Sequence, residues 1–366
     1  MKFSIVTATT EHTPRLLRCL ASVADQAVIA GGDDGCQPPE PLLVEHIVQE
    51  KAAGQAGGRR PADGGQRTDD GRQTTDDRRQ MTEVGSPENK NPHPPLAPRI
   101  DPPRRTLAGR PPAQLRWARP RLAPPDGSSL RWFVEPDTGL YDALNHGFAR
   151  ATGEIYAWLN DDEQYLPDAL ARVARTAAAH PEADIFFGGA ILMDEQYRPL
   201  AWRRTTRLSF ARVAATHLYT LSCAIFFRRR LWDRLGGFDA GLRIVGDEEF
   251  IGRALRSGAR AQPIPAFLGA YTVRPGQLSA GVDAARQEHA ELKKRWPGWT
   301  QRFAPMLKAC RRLEDAAHGW WPDRRLPLDC ALYRDADITR RVAGQARCTG
   351  RWPGPVWDEF CAAQNS

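Results

Sequence analysis

The sequence predicts an α/β fold in which a mostly parallel sheet is flanked by helices, with a disordered insertion and a helical C-terminal extension. Strand-like and helix-like segments alternate from the first residues onward. An apolar run at residues 155–159 ends directly in three carboxylates. A change of composition separates an insertion at 51–130 from an α/β domain formed by residues 1–50 and 131–282, which an extension at 283–366 follows.

The first fifty residues predict a strand, a helix and a second strand. Residues 3–9 form an apolar run, and Thr13 and Pro14 suit the N-cap and the first turn of a helix. Apolar residues then recur at helical spacing, and residues 42–48 form a second apolar run. Strands that alternate with helices indicate a mostly parallel sheet covered on both faces.

Residues 51–130 predict a disordered insertion between two strands. They hold 13 of the 30 prolines, 9 glycines and a single aromatic residue, Trp117. Such a composition cannot bury enough apolar area to offset the entropy of ordering the backbone. Because lengthening a surface loop adds little to its closure entropy, the surrounding domain tolerates the insertion.

Most of the net charge belongs to that insertion. Its 15 lysines and arginines against 9 aspartates and glutamates supply +6 of the chain's +7. The rest of the chain is near neutral, so no nucleic-acid partner is expected. Nucleic-acid binding is an alternative function that would depend on the insertion alone, where arginines are not interleaved with aromatic residues.

Cysteine usage and hydropathy indicate a cytoplasmic protein. The seven cysteines are scattered without a C-x-x-C pair, which is typical of reduced thiols and not of a zinc site or a disulfide framework. No run approaches the ~18 apolar residues that a membrane span requires.

The centre of the chain predicts a strand, a turn, a helix and a second strand. A strand at 130–134 leads into a turn that contains Pro136 and Gly139. Apolar residues at helical spacing follow, and Gly153 suits the C-terminal cap of this helix. Further on, the sequence predicts a helix from Pro167 to about His180, strands at 184–192 and 263–271, and a helix that begins at Gly246.

Asp161, Asp162 and Glu163 follow the predicted strand 155–159. In open α/β sheets, ligands bind beyond the carboxyl ends of the strands. Mg²⁺ is usually held there by one or two carboxylates together with substrate phosphates. The pattern therefore indicates a site for a metal and a diphosphate. A solvated acidic loop that caps the next helix is the alternative.

Residues 135–250, which include these carboxylates, carry a series of motifs in a fixed order. They are E-P-D-T-G-L-Y-D-A-L-N at 135–145, N-D-D-E at 160–163, F-F-R at 226–228, G-G-F-D at 236–239 and G-D-E-E-F at 246–250. The series resembles the family 2 glycosyltransferases, whose fold is the Rossmann-like GT-A type. The resemblance covers residues 3–50 and about 128–280.

The resemblance implies a nucleotide-sugar site and a divalent metal, Mg²⁺ or Mn²⁺. Asp162 takes the position of the metal-binding carboxylate, with Glu163 beside it. Two departures lie in this site: Glu50 replaces the base-binding Asp and lacks the Gly-Gly-Ser that follows it in relatives, and Asn160 replaces the leading Asp of the metal motif. The residues expected to contact the nucleotide sugar are Thr7, Thr9, Glu11, Glu50, Asp137, Asp142, Asn160 and Asp161. For Asp142, an ordinary first-turn carboxylate favoured by the helix dipole is the alternative.

The resemblance also implies a general base at the start of the helix at Gly246. Asp247 aligns best, with Glu249 and then Glu248 as substitutes, and the expected reaction is an inverting transfer.

The sugar would pass from a nucleoside diphosphate to a glycan or lipid-linked acceptor in bacterial cell-surface polysaccharide assembly. Carboxylates at a helix start are also common for dipole reasons alone. A catalytically impaired scaffold protein is the alternative function, because of Glu50 and the insertion.

Two regions carry weaker signals. In residues 202–219, where relatives shape the acceptor pocket, solvated surface is favoured over acceptor contact for Arg203, Arg204, Arg207 and His217. The extension at 283–366 is rich in Trp and Arg, which predicts helices packed on the core. These residue types also occur in helices at membrane surfaces, so peripheral contact with the inner face of the membrane is a second interpretation.

Overall fold

The structure, a computed structural model, confirms the α/β prediction for the residues that it describes. These are residues 1–10, 14–26, 42–52, 128–204, 207–274, 277, 282–318, 325–335 and 338–348. The predicted insertion, apart from its first two and last three residues, and Glu11 lie outside the described residues. No described helix is long and apolar enough to cross a bilayer.

The first half of the sheet is parallel, as predicted. The strand order is β4-β1-β2-β3, and every pairing among these four strands is parallel. The elements are β1 (Lys2–Thr9), α1 (Pro14–Gln26), β2 (Leu43–Lys51), β3 (Ser129–Glu135), α2 (Leu140–Ala149) and β4 (Ile155–Asn160).

The second half of the sheet is mixed. Strand β6 pairs with β9 in parallel but with β7 and β8 in antiparallel orientation, and β8 joins it to β4. The elements are β5 (Gln164–Tyr165), α3 (Ala169–Ala179), β6 (Ile185–Met193), β7 (Pro199–Arg203), α4 (Phe210–Ala215), a 3₁₀ turn (Ser222–Ala224), β8 (Ile225–Arg228), α5 (Arg229–Leu235), α6 (Gly246–Arg256) and β9 (Ala261–Thr272).

Hydrophobic cores lie on both faces of the sheet. On one face, α1 and α3 pack against β1 and β4 through residues such as Val23 and Leu170. On the other face, α2, α5 and α6 pack around an aromatic cluster that includes Phe148, Trp232 and Phe250. Burial on both faces explains why β4 is an almost continuous apolar run.

The predicted end of α2 is wrong. The helix ends at Ala149, and the amide of the C-cap residue Arg150 donates to the carbonyl of Gly147. Gly153 lies in the following loop, where a Cβ atom would come within 2.7 Å of the Ser4 backbone nitrogen. This glycine is therefore required by the close approach of the loop to β1, and not by a left-handed helix cap.

The C-terminal extension is helical only in its first part, which corrects the sequence prediction. It forms α7 (Val282–Lys294), α8 (Gly298–Arg302) and α9 (Ala304–Ala317), and then the hairpin strands β10 (Arg325–Asp335) and β11 (Ile338–Cys348). Strand β11 pairs in parallel with β7 and so extends the sheet. Leu328 and Leu332 of β10 are buried at spacing consistent with the two-residue period of a strand.

Candidate active site

A cleft of about 870 Å³ opens at the carboxyl ends of β1 and β4. Ala8 pairs with Asn160 at this edge, so the residues that follow both strands emerge side by side. The other walls are the start of α2, the loop 216–222, the loop 243–248 before and into α6, and α7. This is the edge at which open α/β sheets bind ligands.

Two carboxylates, Asp161 and Asp162, line one end of the cleft beside Asn160. Asp161 accepts a 3.1 Å hydrogen bond from the hydroxyl of Thr9. Burial, and then the charge of Asp162, raises the pKa of the Asp161 carboxyl above its usual range. Asp162 accepts a 2.7 Å bond from Nε of Arg274, which follows β9. The structure thus brings Thr9, Asn160, Asp161 and Asp162 together as the sequence predicts.

Glu163 is turned away from this group. Its side chain is fully buried, and it does not line the cleft. One carboxylate oxygen accepts from the Asn160 amide at 2.9 Å, and the other accepts from the Ser222 hydroxyl at 2.5 Å. Burial raises the pKa of Glu163 to about 8. The structure therefore places this predicted metal ligand inside the protein, where it joins the end of β4 to the 3₁₀ turn.

Thr7 and Glu50 also lie outside the cleft wall. Thr7 lies two residues before Thr9 on β1 and is fully buried. Its hydroxyl lies 2.9 Å from Nε2 of His46. Glu50 accepts a 2.8 Å bond from the indole of Trp132 on β3. It is the next residue, Lys51, that lines the cleft. Consecutive strand residues face opposite sides of a sheet, so one of these two had to point away.

Asp137 and Asp142 have different surroundings, although both were predicted to contact the nucleotide. Asp137 lines the cleft, and its carboxylate lies 3.2 Å from Nζ of Lys51. Asp142 does not line the cleft. It accepts bonds from the backbone and hydroxyl of Thr138, at 2.8 Å and 3.0 Å, at the start of α2. Asp142 is therefore placed as a first-turn carboxylate of α2, which is the alternative that the sequence left open.

Asp247, in the first turn of α6, lines another wall of the cleft. Its Oδ1 accepts a 2.8 Å bond from the Glu248 amide and lies 3.4 Å from the hydroxyl of Tyr141. Burial raises the pKa of Asp247 to about 6. At neutral pH the carboxylate is mostly ionised, yet its proton affinity is higher than that of an exposed Asp, as a general base requires.

The two neighbouring glutamates are engaged in other contacts. Glu248 lines the cleft, accepts from the Leu218 amide at 3.1 Å and lies 3.5 Å from Nδ1 of His289. Burial alone would lower the pKa of His289, but the hydrogen bond and charge of Glu248 raise it overall. Glu249 lies outside the cleft and forms a two-bond ion pair with Arg253, at 2.8 Å and 2.9 Å. Of the three, Asp247 has the geometry closest to that of a base.

The helix α2 and the loop before α6 are joined directly. The Asn145 amide donates to the Phe238 carbonyl, and its oxygen accepts from the Phe238 amide, both at 2.9 Å. Tyr141 donates to the Ile244 carbonyl at 3.0 Å. Gly246 leaves room for that ring, because a Cβ atom there would lie 2.6 Å from it. The separate motifs of the sequence thus form one packed unit.

Several basic residues line the cleft in addition to its carboxylates. Arg203 is 4% exposed, and both Arg203 and His217 line the cleft. The favoured interpretation of these two as solvated surface is therefore wrong. Helix α7, in the extension, contributes Arg286, His289 and Lys293 to the wall. Only a long-range prediction of packing could have found these residues, since nothing near them in sequence marks a site.

Glu288 of α7 fastens the loop that precedes α6. Its carboxylate accepts from the backbone amides of Arg243, Ile244 and Val245, at 2.6 Å, 2.6 Å and 2.9 Å. Hydrogen bonds to a carboxylate are stronger than neutral ones. The extension therefore positions the loop that leads directly to Asp247.

The residues at the Asp161–Asp162 end fit a hard divalent cation. They offer two carboxylates and the neutral oxygen of Asn160, all of which line the cleft. Among the described residues, no three His, Cys, Asp or Glu side chains converge closely enough to hold a metal alone. Mg²⁺ is commonly held by one or two carboxylates and completed by substrate phosphates.

Residues 125–235 match glycosyl transferase family 2. The match includes the E-P-D-T-G-L-Y-D-A-L-N stretch, the carboxylates after β4 and the strand β8. The resemblance inferred from the motifs, which extended to about residue 280, is thus supported over its central part.

Curated relatives are glycosyltransferases. The PGL/p-HBAD biosynthesis glycosyltransferase of Mycobacterium bovis is 33% identical over 130 residues, which are 35% of this chain and 48% of that protein. An uncharacterized glycosyltransferase of Mycobacterium tuberculosis is 30% identical over 124 residues, 34% of this chain and 47% of that protein. The alignments to these relatives thus span about half of their length.

Two solved structures resemble this chain at low sequence identity. A mannosyltransferase of Pyrobaculum calidifontis in complex with GDP-Man and Mn²⁺ has a TM-score of 0.45 and 18% identity, covering 86% of this chain and 75% of that one. S. aureus TarS in complex with UDP-GlcNAc has a TM-score of 0.46 and 10% identity, covering 94% and 99%.

Proposed function

We propose that this protein is a family 2 glycosyltransferase of the GT-A type that transfers a sugar from a nucleoside diphosphate to an acceptor hydroxyl. The observation that carries the proposal is that one cleft is lined both by Asp161 and Asp162, which follow β4, and by Asp247, in the first turn of α6. The family match over residues 125–235 supports the same function. A role in cell-surface glycan assembly is part of the proposal, and the PGL/p-HBAD biosynthesis glycosyltransferase among the relatives supports a biosynthetic role.

The donor occupies the end of the cleft next to β1 and β4 in this proposal. Asn160, Asp161 and Asp162 would hold Mg²⁺ or Mn²⁺, which would neutralise the diphosphate and make it a better leaving group. Lys51 and Asp137 form an ion pair in the cleft wall. Polar groups of the nucleotide can replace each partner of this pair and form hydrogen bonds with the other. Glu163 contributes by fixing the turn after β4 and not as a ligand.

Asp247 acts as the general base at another wall of the cleft. Its carboxylate accepts the proton of the acceptor hydroxyl, while the acceptor oxygen forms a bond to the anomeric carbon. The bond between that carbon and the diphosphate oxygen breaks, and the nucleoside diphosphate leaves with the electron pair. A single displacement of this kind inverts the configuration at the anomeric carbon. The Glu248 amide and Tyr141 orient the carboxylate through Oδ1, and the other oxygen is the one expected to face the acceptor.

We also propose contact with an anionic membrane surface, which suits a lipid-linked acceptor. Helix α9 exposes Met306 and Leu313, 55% and 72% exposed, which lie two turns apart on one face. Phe303 precedes them and is 45% exposed. Lys308 and Arg312 on the same helix supply the positive charge that an anionic lipid surface attracts. Flotation with phosphatidylglycerol vesicles should be lost in Met306→Ser/Leu313→Ser, and unchanged flotation would remove this proposal.

The first experiment is titration calorimetry of UDP, GDP and dTDP, each with and without Mn²⁺. We expect one nucleotide to bind in a metal-dependent manner, and Asp162→Asn to abolish the metal dependence. The matched control is Asp233→Asn, which removes an exposed carboxylate on α5. Transfer from the matching nucleotide sugar, with the anomeric configuration read by NMR, then tests the reaction itself. Absence of binding by every nucleotide would favour the impaired scaffold instead.

A further inference from the structure

A second, smaller cavity of about 280 Å³ adjoins the cleft. We call it the side pocket. It shares Thr216, His217 and Lys293 with the cleft, and its outer wall is formed by Lys308, Arg311 and Arg312 of α9. The side pocket therefore lies between the catalytic domain and the C-terminal extension.

The side pocket is lined by positively charged side chains. Four lysine and arginine side chains line it, and no carboxylate does. Arg311 pairs with Asp315 at 2.6 Å and lies over the ring of Tyr219 at 4.0 Å from its centroid. Within the described part of the chain, Lys293, Lys308 and Arg312 form no ion pair with a carboxylate. Because like charges repel in a confined space, such a pocket favours an anion.

His217 supplies a further polar group at the inner wall. Its Nε2 is buried and has no hydrogen-bond partner among the described residues. Burial, and then the positive charges of Arg203, His289, Arg311 and Lys293, lowers the pKa of His217 well below its usual range. The imidazole is therefore neutral at pH 7 and can donate one N–H to an anionic oxygen.

The position of the side pocket points to the acceptor and not to the donor. His217 immediately precedes Leu218, whose amide donates to Glu248 at 3.1 Å. The side pocket thus adjoins the wall of the cleft that holds Asp247 and Glu248. None of Asn160, Asp161 or Asp162 lines it.

We propose that the side pocket binds a phosphate group of the acceptor and so places the acceptor hydroxyl in the cleft beside Asp247. The proposal rests on the proposed transferase function and names its acceptor class, a phosphate-bearing molecule. The phosphate belongs either to the head group of a lipid-linked acceptor or to a soluble phosphorylated glycan. Lysine and arginine are the side chains that recognise phosphate through charge-assisted hydrogen bonds.

Binding of glycerol 3-phosphate, measured by calorimetry, tests the side pocket without any donor. Lys308→Ser/Arg312→Ser removes two exposed charges from the pocket wall. We expect it to weaken binding about tenfold or more, since each residue contributes a contact to an ionised group. The control Lys294→Ser/Arg302→Ser removes the same charge from residues that line neither cavity, and its affinity should stay within about twofold of the wild type.

Sedimentation with phosphatidylcholine vesicles, with and without phosphatidic acid, distinguishes the two sources of phosphate. Loss of both glycerol 3-phosphate and phosphatidic acid binding in the pocket variant, with binding to phosphatidylglycerol vesicles retained, assigns the pocket to a lipid head group. Loss of glycerol 3-phosphate binding alone assigns it to a soluble phosphorylated acceptor. Equal affinities of the pocket variant and its control for glycerol 3-phosphate, or no binding by the wild type, overturn the proposal.

Kinetics separate this proposal from the transferase function. With an active donor, the pocket variant should raise KM for phosphate-bearing acceptors about tenfold and leave KM for the donor and for neutral acceptors unchanged. If transfer occurs but KM for phosphate-bearing acceptors does not change, the side pocket proposal fails while the transferase function stands. If no donor is turned over but the pocket variant loses glycerol 3-phosphate binding selectively, the pocket stands and the transferase function fails.

Discussion

Nε of Arg274 donates a 2.7 Å hydrogen bond to Oδ2 of Asp162, so a cation of the protein already occupies one oxygen of the carboxylate expected to hold the metal. Gln277 lies against the same oxygen at 3.3 Å. A metal ion must therefore bind through the remaining oxygen or displace the guanidinium. The arrangement couples metal affinity to the position of the short segment after β9.

Replacement of Arg274 by Gln should strengthen metal binding in the absence of nucleotide. The substitution removes a positive charge in direct contact with Asp162, which lowers the repulsion of an incoming divalent cation. We expect the Kd for Mn²⁺, measured by electron paramagnetic resonance, to fall about tenfold. Arg295→Gln, which removes an exposed arginine paired with Asp239, is the control. A Kd in Arg274→Gln equal to that of this control would show that the ion pair does not limit metal access.

Asp162→Asn should weaken metal binding whereas Glu163→Gln should leave it unchanged, although the two residues are adjacent. Asp162 lines the cleft, whereas Glu163 is buried and its raised pKa of about 8 keeps it mostly protonated at pH 7. A neutral Gln reproduces that state, so Glu163→Gln should bind Mn²⁺ like the wild type, and Asp162→Asn should lose about tenfold or more in affinity. Equal losses in both variants would mean that Glu163 turns outward to bind the metal.

Activity should depend on the ionisation of Asp247. Burial raises its pKa to about 6, and only the ionised form can accept the acceptor proton. We expect kcat/KM to fall about tenfold per pH unit below pH 6 and to level off above pH 7. Asp247→Asn should lose roughly 10²–10⁴-fold in kcat, the usual contribution of a general base.

The pH dependence of the free energy of unfolding should also report the ionisation of Asp247, without any measurement of activity. Native Asp247 binds its proton more tightly than the unfolded chain, because its folded pKa is raised. Its contribution to the free energy of unfolding therefore declines as the pH rises from about 4 to 6, and Asp247→Asn should lack that part of the decline. Identical pH profiles of stability for the two proteins would contradict the raised pKa.

Gly246→Ala should impair activity through Tyr141. The added Cβ would lie 2.6 Å from the Tyr141 ring, which must shift away from Ile244 and Asp247. Overpacking of this kind costs about 1–3 kcal/mol in the free energy of unfolding, measurable by urea denaturation. Gly298→Ala is the matched control, since nothing lies within 4 Å of its added Cβ at the start of α8. Equal stability of the two variants would show that the ring has room to move.

Glu288→Ala should lower kcat with a smaller effect on nucleotide affinity. The variant loses three carboxylate–amide hydrogen bonds to residues 243–245, so the loop before Asp247 is no longer fixed to α7. We expect kcat to fall about tenfold and the Kd of the donor nucleotide to change less than twofold. Glu291→Ala, one turn along α7 at an exposed position, should leave both values unchanged.

Local patterns were sufficient to predict much of the domain. The apolar run of β4, the helix α2 and the carboxylates after β4 depend on neighbouring residues in the sequence, and each was found within a few residues of its predicted place. The direction of individual side chains was not predictable in this way. Where the chain turns out of β4, Asp161 and Asp162 face the cleft and Glu163 faces the core, although the sequence shows three equivalent acids.

The sequence by itself determined the α/β class, the edge of the sheet where the cleft lies and the positions of its acidic groups, because period, composition and chain order are local properties. Only the tertiary structure decided which side chains face the cleft, that α7 of the extension closes it, and that α9 adds a cationic pocket beside it. These features depend on contacts between residues far apart in the chain, such as Glu288 with Ile244. Such packing depends on long-range burial and charge pairing, which no short stretch of sequence encodes.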